Sequence, residues 1–382
     1  MKSMRFVLSL IILTFGTTLG AQTKPKKIDV EKLKQIDTVV TEEIEKGGFP
    51  GAVVLVGQND DILYHQVFGD EVIEPFKESM TKDTMFDMAS ISKPVGTATS
   101  IMILFDQGVL HPEDKVASYL PEFAVGNKQD VRIKHLLTHT SGLPAYTNAE
   151  ELKKEYGERC PDKVIEKICS FAALNEPGET FRYSCLGFIT LGKIVQVVSG
   201  KTVDQFAIEN IFKPLKMEHT TYNPPAEWKK DIAATQIFGD NLLRGFVHDP
   251  LAQLNAGISG NAGLFTNAHD LSIYCRMVLN GGAYHGVKIL SPEKVKLLTQ
   301  PQLKDRAFGF DVSSSYSWVK GDFAPKESFC HTGYTGTSVV CDPVNKVFLI
   351  ILTNRAHPND KGDVKPVRTK LANLVFQALQ EK

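Results

Sequence analysis

The chain has 382 residues, of which 42% are hydrophobic, and its 43 basic residues nearly balance its 44 acidic residues, which gives a formal net charge of -1. This balance argues against a strongly basic protein that binds nucleic acid through its phosphates. The length and the apolar fraction allow a large core in one compound domain or in two. We therefore expect a globular protein without a nucleic-acid partner.

The first 21 residues have the composition of a secretory signal peptide. Two early cations, Lys2 and Arg5, precede an apolar run from Phe6 to Phe15, and small residues continue to Ala21. The run is too short for a permanent membrane anchor. No cysteine lies near the expected cleavage point, so the sequence does not indicate a lipoprotein. We therefore expect a mature catalytic domain of residues 22–382 that is secreted or periplasmic.

Apolar patterns at both ends of the mature chain predict helices and strands. Residues 30–46 have apolar side chains at helical spacing, and Gly47-Gly48 ends the pattern. The runs GAVVLVG and ILYHQVFG flank the turn QNDD and predict an antiparallel hairpin. Near the other end, SFCHT, TSVVCDP and KVFLIILTN read as strands, and a closing helix is expected over Val367 to Leu379.

Helical patterns and long loops occupy the middle of the chain. We therefore predict an α+β fold in which an antiparallel sheet, built from about residues 28–90 and 306–382, is flanked by terminal helices. A mostly helical region of about residues 91–305 is inserted between the two parts of the sheet. Ser90 lies at the seam, where clefts tend to form.

The stretch FDMASISKPVGTATS, residues 86–100, combines a serine and a lysine three positions apart. A helix is expected from Thr97 to Leu104, which places Ser90 and Lys93 near its first turn and on one face. The positive end of the helix and an apolar setting would disfavour a second charge, so Lys93 could lose its proton and activate Ser90 as a nucleophile. By itself, the S-x-x-K pattern also fits a solvated lysine in an ordinary first turn.

The cysteines and histidines give no metal-binding pattern. The six cysteines form no C-x-x-C pair and have no histidine partners at zinc spacing; they are Cys160, Cys169, Cys185, Cys275, Cys330 and Cys341. We therefore expect no metal and no other cofactor. Cys330 and Cys341 could meet across a hairpin in an oxidising compartment, but unpaired buried thiols are the favoured interpretation.

Four motifs follow one another along the chain: SISK at 90–93, IKHLLTHTSGLP at 133–144, PGETFRYSCLGF at 177–188 and HTG at 331–333. Together they resemble the ordered signature of the serine beta-lactamase and penicillin-binding protein superfamily. The HLLTHTSGLP stretch is similar to the branch that contains class C beta-lactamases, DD-peptidases and related esterases. The resemblance covers nearly the whole mature chain.

The resemblance implies roles for residues of the first and third motifs. Ser90 becomes the acylated nucleophile and Lys93 its proton partner. Tyr183 matches the tyrosine that shares the base role and protonates the leaving group, because a phenol beside a cation ionises more easily. A core tyrosine with a satisfied hydroxyl is the alternative for Tyr183, and its motif context favours catalysis.

The resemblance also assigns the HTG strand to the wall of the cleft. Thr332 would donate a hydrogen bond to a substrate carboxylate, and Gly333 would permit close approach of the substrate backbone. The backbone N–H groups of Ser90 and Tyr334 would form the oxyanion hole. Asn354 and Arg355, at the end of a predicted strand, are further candidates for binding a carboxylate.

Two residues depart from the family pattern. His331 stands where typical class C beta-lactamases carry lysine, and because imidazole titrates near neutrality, carboxylate recognition should weaken as the pH rises through that range. Cys185 replaces the usual asparagine and lacks its paired donor and acceptor, which weakens the case for efficient beta-lactam turnover. His248 and Asp249 could line the mouth of the cleft, although a loop that leads to a capped helix near Asp270 is favoured.

Three functions remain open from the sequence. The first is a serine hydrolase that acts through an acyl-enzyme on D-alanyl peptides of the cell wall. The second is a carboxylesterase or weak beta-lactamase on the same fold. The third is a sensor that is acylated by penicillin or peptidoglycan without efficient turnover. In each case the ligand is a small molecule or a peptidoglycan peptide, and the intact Ser90, Lys93 and Tyr183 favour turnover over pure binding.

Overall fold

The computed structural model describes residues 26–380, so the expected signal peptide of residues 1–21 lies outside the described residues. The strands in this range are, in chain order, β1 (Lys27–Ile28), β2 (Gly51–Gln58), β3 (Asp61–Val72), β4 (Glu78–Ser79), β5 (Phe86–Asp87), β6 (Thr221–Tyr222), β7 (Gln236–Phe238), β8 (Asn241–Leu243), β9 (Leu264–Thr266), β10 (Ala283–Tyr284), β11 (Val287–Lys288), β12 (Phe329–Thr332), β13 (Ser338–Asp342), β14 (Val347–Thr353) and β15 (Leu379–Gln380). The α-helices are α1 (Val30–Leu33), α2 (Gln35–Glu45), α3 (Thr99–Asp106), α4 (Ile133–Leu137), α5 (Ala149–Tyr156), α6 (Pro161–Ser170), α7 (Cys185–Ser199), α8 (Val203–Ala207), α9 (Pro250–Leu254), α10 (Ala268–Leu279), α11 (Pro292–Thr299) and α12 (Lys365–Gln377). No helix within residues 26–380 combines the length and the apolar character that a membrane span requires.

The main sheet joins the two ends of the chain. Its six strands lie in the order β12-β13-β14-β2-β3-β4, and every neighbouring pair is antiparallel. The join is the β14–β2 pair, in which Leu352 lies opposite Val53. The predicted α+β class, with an antiparallel sheet built from both chain ends and a mostly helical segment between them, is confirmed.

Helices cover both faces of this sheet, which explains why its central strands β2 and β14 carry continuous apolar runs. Val54 and Val56 face a core formed with α1, α2 and α12, whereas Val53 and Leu55 face the larger core of the helical segment. Successive side chains of a strand point to opposite faces, so a strand buried on both sides needs a continuous apolar run. All residues of β2 and β14 are buried accordingly.

The terminal helices differ from the predicted bounds. The first helix is divided, because Lys34 ends α1 and α2 begins at the next residue. The closing helix begins before the predicted Val367, since Pro366 is tolerated in a first turn, and it ends at Gln377. Leu379 pairs instead with Ile28, so the two ends of the described chain form a two-stranded ribbon.

The segment after Ser90 is less regular than the predicted helix. A 3-10 turn over Ala89–Ile91 leads into a π-helical stretch over Lys93–Ala98, and α3 continues from Thr99. Just upstream, β5 pairs with β9 in a separate three-stranded sheet. The segment that carries Ser90 and Lys93 is therefore anchored at the junction of the main sheet and the helical segment.

The six cysteines are free thiols, and Cys330 and Cys341 do not form a disulfide. In the β12–β13 register Cys330 lies opposite Val340, and Cys341 lies opposite Phe329. Cys330 belongs to the core under the terminal helices, and Cys341 belongs to the core on the other face of the sheet. The favoured interpretation of unpaired buried thiols agrees with this arrangement.

Candidate active site

Ser90 and Lys93 meet as the motif spacing predicts. The Nζ atom of Lys93 lies 2.9 Å from the Oγ atom of Ser90 and also donates a hydrogen bond of 2.9 Å to the carbonyl of Asn261. The Lys93 side chain is fully buried, and Ser90 borders the cleft. Ala89, directly before the nucleophile, has a left-handed backbone with φ of 45°, which is unusual for a residue other than glycine. Such local strain marks candidate functional turns.

The charge environment of Lys93 differs from the expectation. Burial disfavours its ammonium, but the neighbouring acidic groups Cys185, Tyr183 and Asp249, whose ionised forms favour a nearby ammonium, outweigh burial and raise the pKa of Lys93 above its ordinary value. Burial also raises the pKa of Tyr183, although the positive charge of Lys93 opposes this effect. Both groups therefore hold their protons at rest, and Lys93 does not readily lose its proton as the sequence predicted.

The Tyr183 ring is held by aromatic and cationic neighbours. It packs against His139 with ring centroids 4.3 Å apart, and it stacks on Tyr316 with centroids 5.1 Å apart and an interplanar angle of 18°. The Nζ atom of Lys93 lies 5.1 Å from the centroid of the Tyr183 ring. His139 also fixes the backbone around the tyrosine, because its Nδ1 atom accepts from the N–H of Ser184 at 3.1 Å. The histidine of the HLLTHTSGLP motif thus supports the third motif.

The HTG triplet ends β12 at the edge of the cleft. His331 is almost fully buried, and its Nδ1–H donates to the Thr332 carbonyl at 2.9 Å. Burial, together with the charges of Arg306 and Lys93, holds the pKa of His331 well below its usual range. Thr332 borders the cleft. Because the pKa of His331 is so low, its imidazole does not supply the positive charge that the sequence predicts.

Gly333 is required by close packing. A Cβ atom at this position would lie 2.1 Å from Oγ1 of Thr337 and 2.5 Å from the carbonyl oxygen of Met88. Both distances are far shorter than real contacts allow, so any side chain would push β12 away from the nucleophile segment. The glycine keeps the cleft wall against the chain that carries Ser90.

The proposed oxyanion hole has two free donors. Within residues 26–380, the backbone N–H groups of Ser90 and Tyr334 meet no hydrogen-bond acceptor. The neighbouring N–H of Gly333 does have a partner, the carbonyl of Thr337 at 2.7 Å. Because most backbone N–H groups in folded proteins are paired, two unpaired donors beside one nucleophile are suited to stabilise a developing oxyanion.

The cleft beside Ser90 has a volume of about 630 Å³. Two aromatic residues, Tyr316 and Trp318, line it. The charged residues of its lining are three cations and two carboxylates: Arg355, Lys365, Arg368, Asp311 and Asp363. Arg355 stacks over the exposed ring of Tyr334 at 4.3 Å and pairs with Asp360 at 2.9 Å. An aromatic and basic cleft of this kind suits a ligand that carries carboxylates.

Asn354 does not reach this cleft, so its assignment as a carboxylate contact is wrong. Its side-chain oxygen accepts from the N–H of Gly51 at 3.1 Å, and its amide nitrogen donates to the carbonyl of Glu71 at 3.0 Å. Both bonds tie together strands of the main sheet. The side chain is buried there and is fully engaged.

Sequence reasoning missed Arg368, which lines the cleft from α12. Its Nη2 atom donates to the carbonyls of Gly333 at 2.9 Å and Thr337 at 2.8 Å. Burial and the nearby Arg355 lower the pKa of Arg368 to about 9. The only signal for Arg368 in the sequence is an arginine among the buried apolar positions of the closing helix.

Cys185 is the first residue of α7 and lies beside Lys93 rather than in the wall of the large cleft. Burial raises the pKa of its thiol, and the charge of Lys93 opposes this rise. Asp249 lies next to this group of polar residues, because one of its side-chain oxygens accepts from the Asn261 amide at 3.1 Å. Asp249 also caps α9 by accepting from the N–H of Ala252 at 2.8 Å.

His248 and Asp249 both contact residues of the candidate site, Tyr334 and Asn261 respectively. The His248 ring stacks on Tyr334 with centroids 5.5 Å apart, which places it at the mouth of the cleft. The capped helix that the sequence indicates near Asp270 is α10, whose cap is Asn267.

A buried ion pair lies behind the tyrosine. Arg306, which is fully buried, pairs with Asp311 and lies over the rings of Phe181 and Tyr183 at 5.3 and 5.9 Å. Asp311 borders the cleft. Neither residue belongs to one of the four motifs, so the motifs did not predict this ion pair.

Comparison with known proteins agrees with this geometry. A sequence model of the Beta-lactamase family matches residues 36–374. The chain is 32% identical over 386 residues to a Bacillus subtilis (strain 168) protein named N-acetylmuramyl-L-alanine amidase, with 90% of this chain and 87% of that protein covered. It is 30% identical over 437 residues to an Escherichia coli (strain K12) protein named "Putative D-alanyl-D-alanine carboxypeptidase", with 100% of each covered. In fold it matches EstCE1, described as a hydrolase with promiscuous acyltransferase activity, at a TM-score of 0.73 and 22% identity over 91% of this chain and 99% of that one. The chain therefore belongs to the Beta-lactamase family, in the serine beta-lactamase and penicillin-binding protein superfamily, and is a serine hydrolase.

Proposed function

We propose that this protein hydrolyses D-alanyl peptides of the cell wall through an acyl-enzyme on Ser90, in the manner of a DD-carboxypeptidase. The observation that carries the proposal is the lysine 2.9 Å from Ser90, in a cleft that Tyr334 also lines, where the backbone N–H groups of Ser90 and Tyr334 are both unpaired. Sequence relatives whose names include a carboxypeptidase and an amidase of the cell wall support this substrate class. The work would take place outside the cytoplasm, as the expected signal peptide implies.

The protonation states of Tyr183 and Lys93 fit general acid–base catalysis by a pair of groups. Tyr183 and Lys93 both hold protons at rest, so one proton must leave the pair before attack. The Tyr183 phenolate, stabilised by the Lys93 ammonium, then accepts the hydroxyl proton of Ser90 as its Oγ atom attacks the substrate carbonyl.

The tetrahedral oxyanion meets the N–H groups of Ser90 and Tyr334. Tyr183 gives its new proton to the departing amine, and the carbon–nitrogen bond breaks to leave an ester on Ser90. A water molecule then loses a proton to the same pair and attacks this ester, which releases the acid and restores Ser90.

The size of the cleft favours a second candidate within the same chemistry. Tyr183 delivers the proton to the leaving group, and its stacking partner Tyr316 lines the large cleft, so the leaving group enters that cleft. A single D-alanine is far smaller than about 630 Å³ and has one carboxylate, whereas three cations line the cleft. An amidase that releases a whole acidic stem peptide would use this space and this charge.

Product analysis separates the candidates. The protein is incubated with a muropeptide that carries an intact pentapeptide stem, and the products are weighed by mass spectrometry. Loss of one alanine supports the carboxypeptidase, and release of the entire peptide supports the amidase. An absence of both reactions, while Ser90 is acylated by a simple ester, would contradict cell-wall hydrolysis and favour a carboxylesterase.

A penicillin provides the remaining comparison. Rapid release of penicilloate would identify a beta-lactamase, whereas an adduct on Ser90 that persists for hours would favour the acylated sensor. The matched control is Ser90→Ala, which should give neither product nor adduct.

A further inference from the structure

The buried carboxylate of Asp87 lies at a junction of three chain segments around the nucleophile. Asp87 is the last residue of β5 and only 1% of its surface is exposed. Its Oδ1 atom accepts from the N–H of Ala89 at 2.8 Å, and its Oδ2 atom accepts from the N–H of His248 at 2.7 Å. One carboxylate thus holds the left-handed turn before Ser90 and the loop at the mouth of the cleft.

The backbone of the same residue is bound by the turn that follows β12. The hydroxyl of Thr335 donates to the Asp87 carbonyl at 2.6 Å, and the hydroxyl of Thr337 donates to the Met88 carbonyl at 3.2 Å. Thr335 directly follows Tyr334, whose N–H is one oxyanion donor. The two donors of the oxyanion hole are therefore connected through Asp87 by hydrogen bonds to adjoining residues.

We propose that Asp87 is a positioning residue whose ionised carboxylate sets the separation and direction of the two oxyanion N–H groups. In the ionised form both oxygens accept hydrogen bonds. A protonated carboxyl has one O–H donor, so one of the two N–H groups would lose a good acceptor. The Ala89 turn, which is strained in this conformation, would then relax and Ser90 would move.

The surroundings of Asp87 allow this change at moderately acidic pH. Burial raises the pKa of Asp87 to about 6, the N–H groups of His248 and Ala89 oppose the rise, and the charge of Asp249 adds to it. Asp249 faces it from the start of α9. The imidazole of His248 is bonded to Gln236 at 2.7 Å, and burial lowers its pKa.

Ester hydrolysis tests this role without dependence on the natural substrate. Acylation of the full chain by p-nitrophenyl acetate is measured from pH 4.5 to 8 by stopped flow, with thermal unfolding as the folding control. In the unmodified protein the rate should decline as the pH falls, because the Lys93–Tyr183 pair must lose a proton, and it should fall more steeply below about pH 6 as Asp87 also takes up a proton. Asp87→Asn should lower kcat about 10- to 100-fold with little change in KM, because it misplaces transition-state donors, and the additional fall below about pH 6 should disappear. Asp83→Asn removes an exposed carboxylate four residues earlier and should leave the profile unchanged.

The Thr335 hydroxyl supplies an independent variant. Thr335→Val removes the hydrogen bond to the Asp87 carbonyl and should also lower kcat, whereas Thr335→Ser keeps the hydroxyl and should restore most of the rate. Rates for Thr335→Val within twofold of the unmodified protein would overturn the proposal, even if Asp87→Asn fails to fold. If the additional fall in the acylation rate below about pH 6 persists in a folded Asp87→Asn protein, the proposal is overturned as well. Because both readouts use an ester, cell-wall hydrolysis can fail while this role of Asp87 stands.

Discussion

The ammonium of Lys93 lies 2.9 Å from the hydroxyl oxygen of Ser90 and is enclosed by protein on every side. Since Lys93 is a hydrogen-bond donor in this state, it holds Ser90 in place before it takes part in proton transfer. Its second hydrogen bond, to the carbonyl of Asn261, fixes the ammonium from a segment far away in the chain. The pair is therefore prepared by the fold and does not depend on a substrate to form.

Replacement of either member of the pair should abolish acylation without unfolding the protein. Ser90→Ala should show no covalent adduct in intact-mass measurements with an ester or a penicillin. Lys93→Met preserves most of the buried volume and should lower the acylation rate about 10²- to 10⁴-fold, as expected for loss of a proton-transfer group. An adduct in folded Ser90→Ala, or a normal rate in Lys93→Met, would contradict the mechanism.

The alkaline side of the rate profile should report the Lys93–Tyr183 pair. Because the pKa values of both groups are raised, the active form with one proton fewer becomes more abundant as the pH rises, and acylation should accelerate above neutrality. The charge of Asp249 contributes to the raised pKa of Lys93, so Asp249→Asn should move this rise to lower pH. Stopped-flow acylation between about pH 7 and 10.5 measures the shift, with the exposed Asp240→Asn as the matched control. A shift to higher pH would contradict this sign.

Recognition of a carboxylate should not titrate with His331. The pKa of this imidazole is held well below its usual range by burial and by Arg306 and Lys93, so it is neutral on both sides of neutrality. Binding of a carboxylate inhibitor should therefore be flat between about pH 6 and 8, as followed by calorimetry. His331→Lys would place another charge beside two buried cations and should lower the melting temperature. A binding constant that weakens tenfold over this range would show that His331 is charged.

The ion pair behind Tyr183 should matter for stability. Asp311→Asn leaves the fully buried Arg306 without its counter-charge, and breaking such a pair costs about 3–5 kcal/mol. Urea unfolding measures this change. Arg306→Met together with Asp311→Asn removes the unpaired charge and should recover part of the loss. A single variant as stable as the unmodified protein would show that Arg306 is compensated by other groups.

The sheet could be predicted from the sequence because its central strands are buried on both faces. Runs such as VVLV and FLIIL leave few alternatives to a covered strand, and both chain ends carry them. The Ser90–Lys93 contact was equally accessible, since a spacing of three brings side chains together in any tight helical turn. These features depend on neighbours that are close in sequence.

The remaining features depend on distant segments. Asn354 has the polarity of a cleft residue, but its partner Gly51 lies 303 positions away and holds it in the sheet. The protonation of Lys93 was predicted with the wrong sign, because the acidic groups that oppose the effect of its burial include Cys185 and Asp249, which lie on separate segments. Arg368 and Asp87 gain their contacts around the site only when distant segments of the chain meet.

Cys185 offers the sharpest test of what the site prefers. Its thiol lies beside Lys93 and outside the lining of the large cleft, at the position where the family resemblance implies an asparagine that binds the amide on the acyl side of a peptide. A neutral thiol is a weak donor and acceptor, so the missing hydrogen bond costs on the order of 1 kcal/mol. Cys185→Asn should therefore raise kcat/KM about fivefold for an acyl-amide substrate and leave a small ester unchanged.

The control for this substitution is Cys185→Ser, which changes the polarity of the side chain but lacks the paired amide donor and acceptor. It should not separate the two substrates, and kcat/KM for both is measured in all three proteins under the same conditions. Equal changes for the amide and the ester in Cys185→Asn would show that this residue acts through packing against Lys93 and not through recognition of the substrate. A selective gain would instead show that the unmodified site makes little use of an amide at this point, which would weigh against the carboxypeptidase, whose acyl group carries a neighbouring amide.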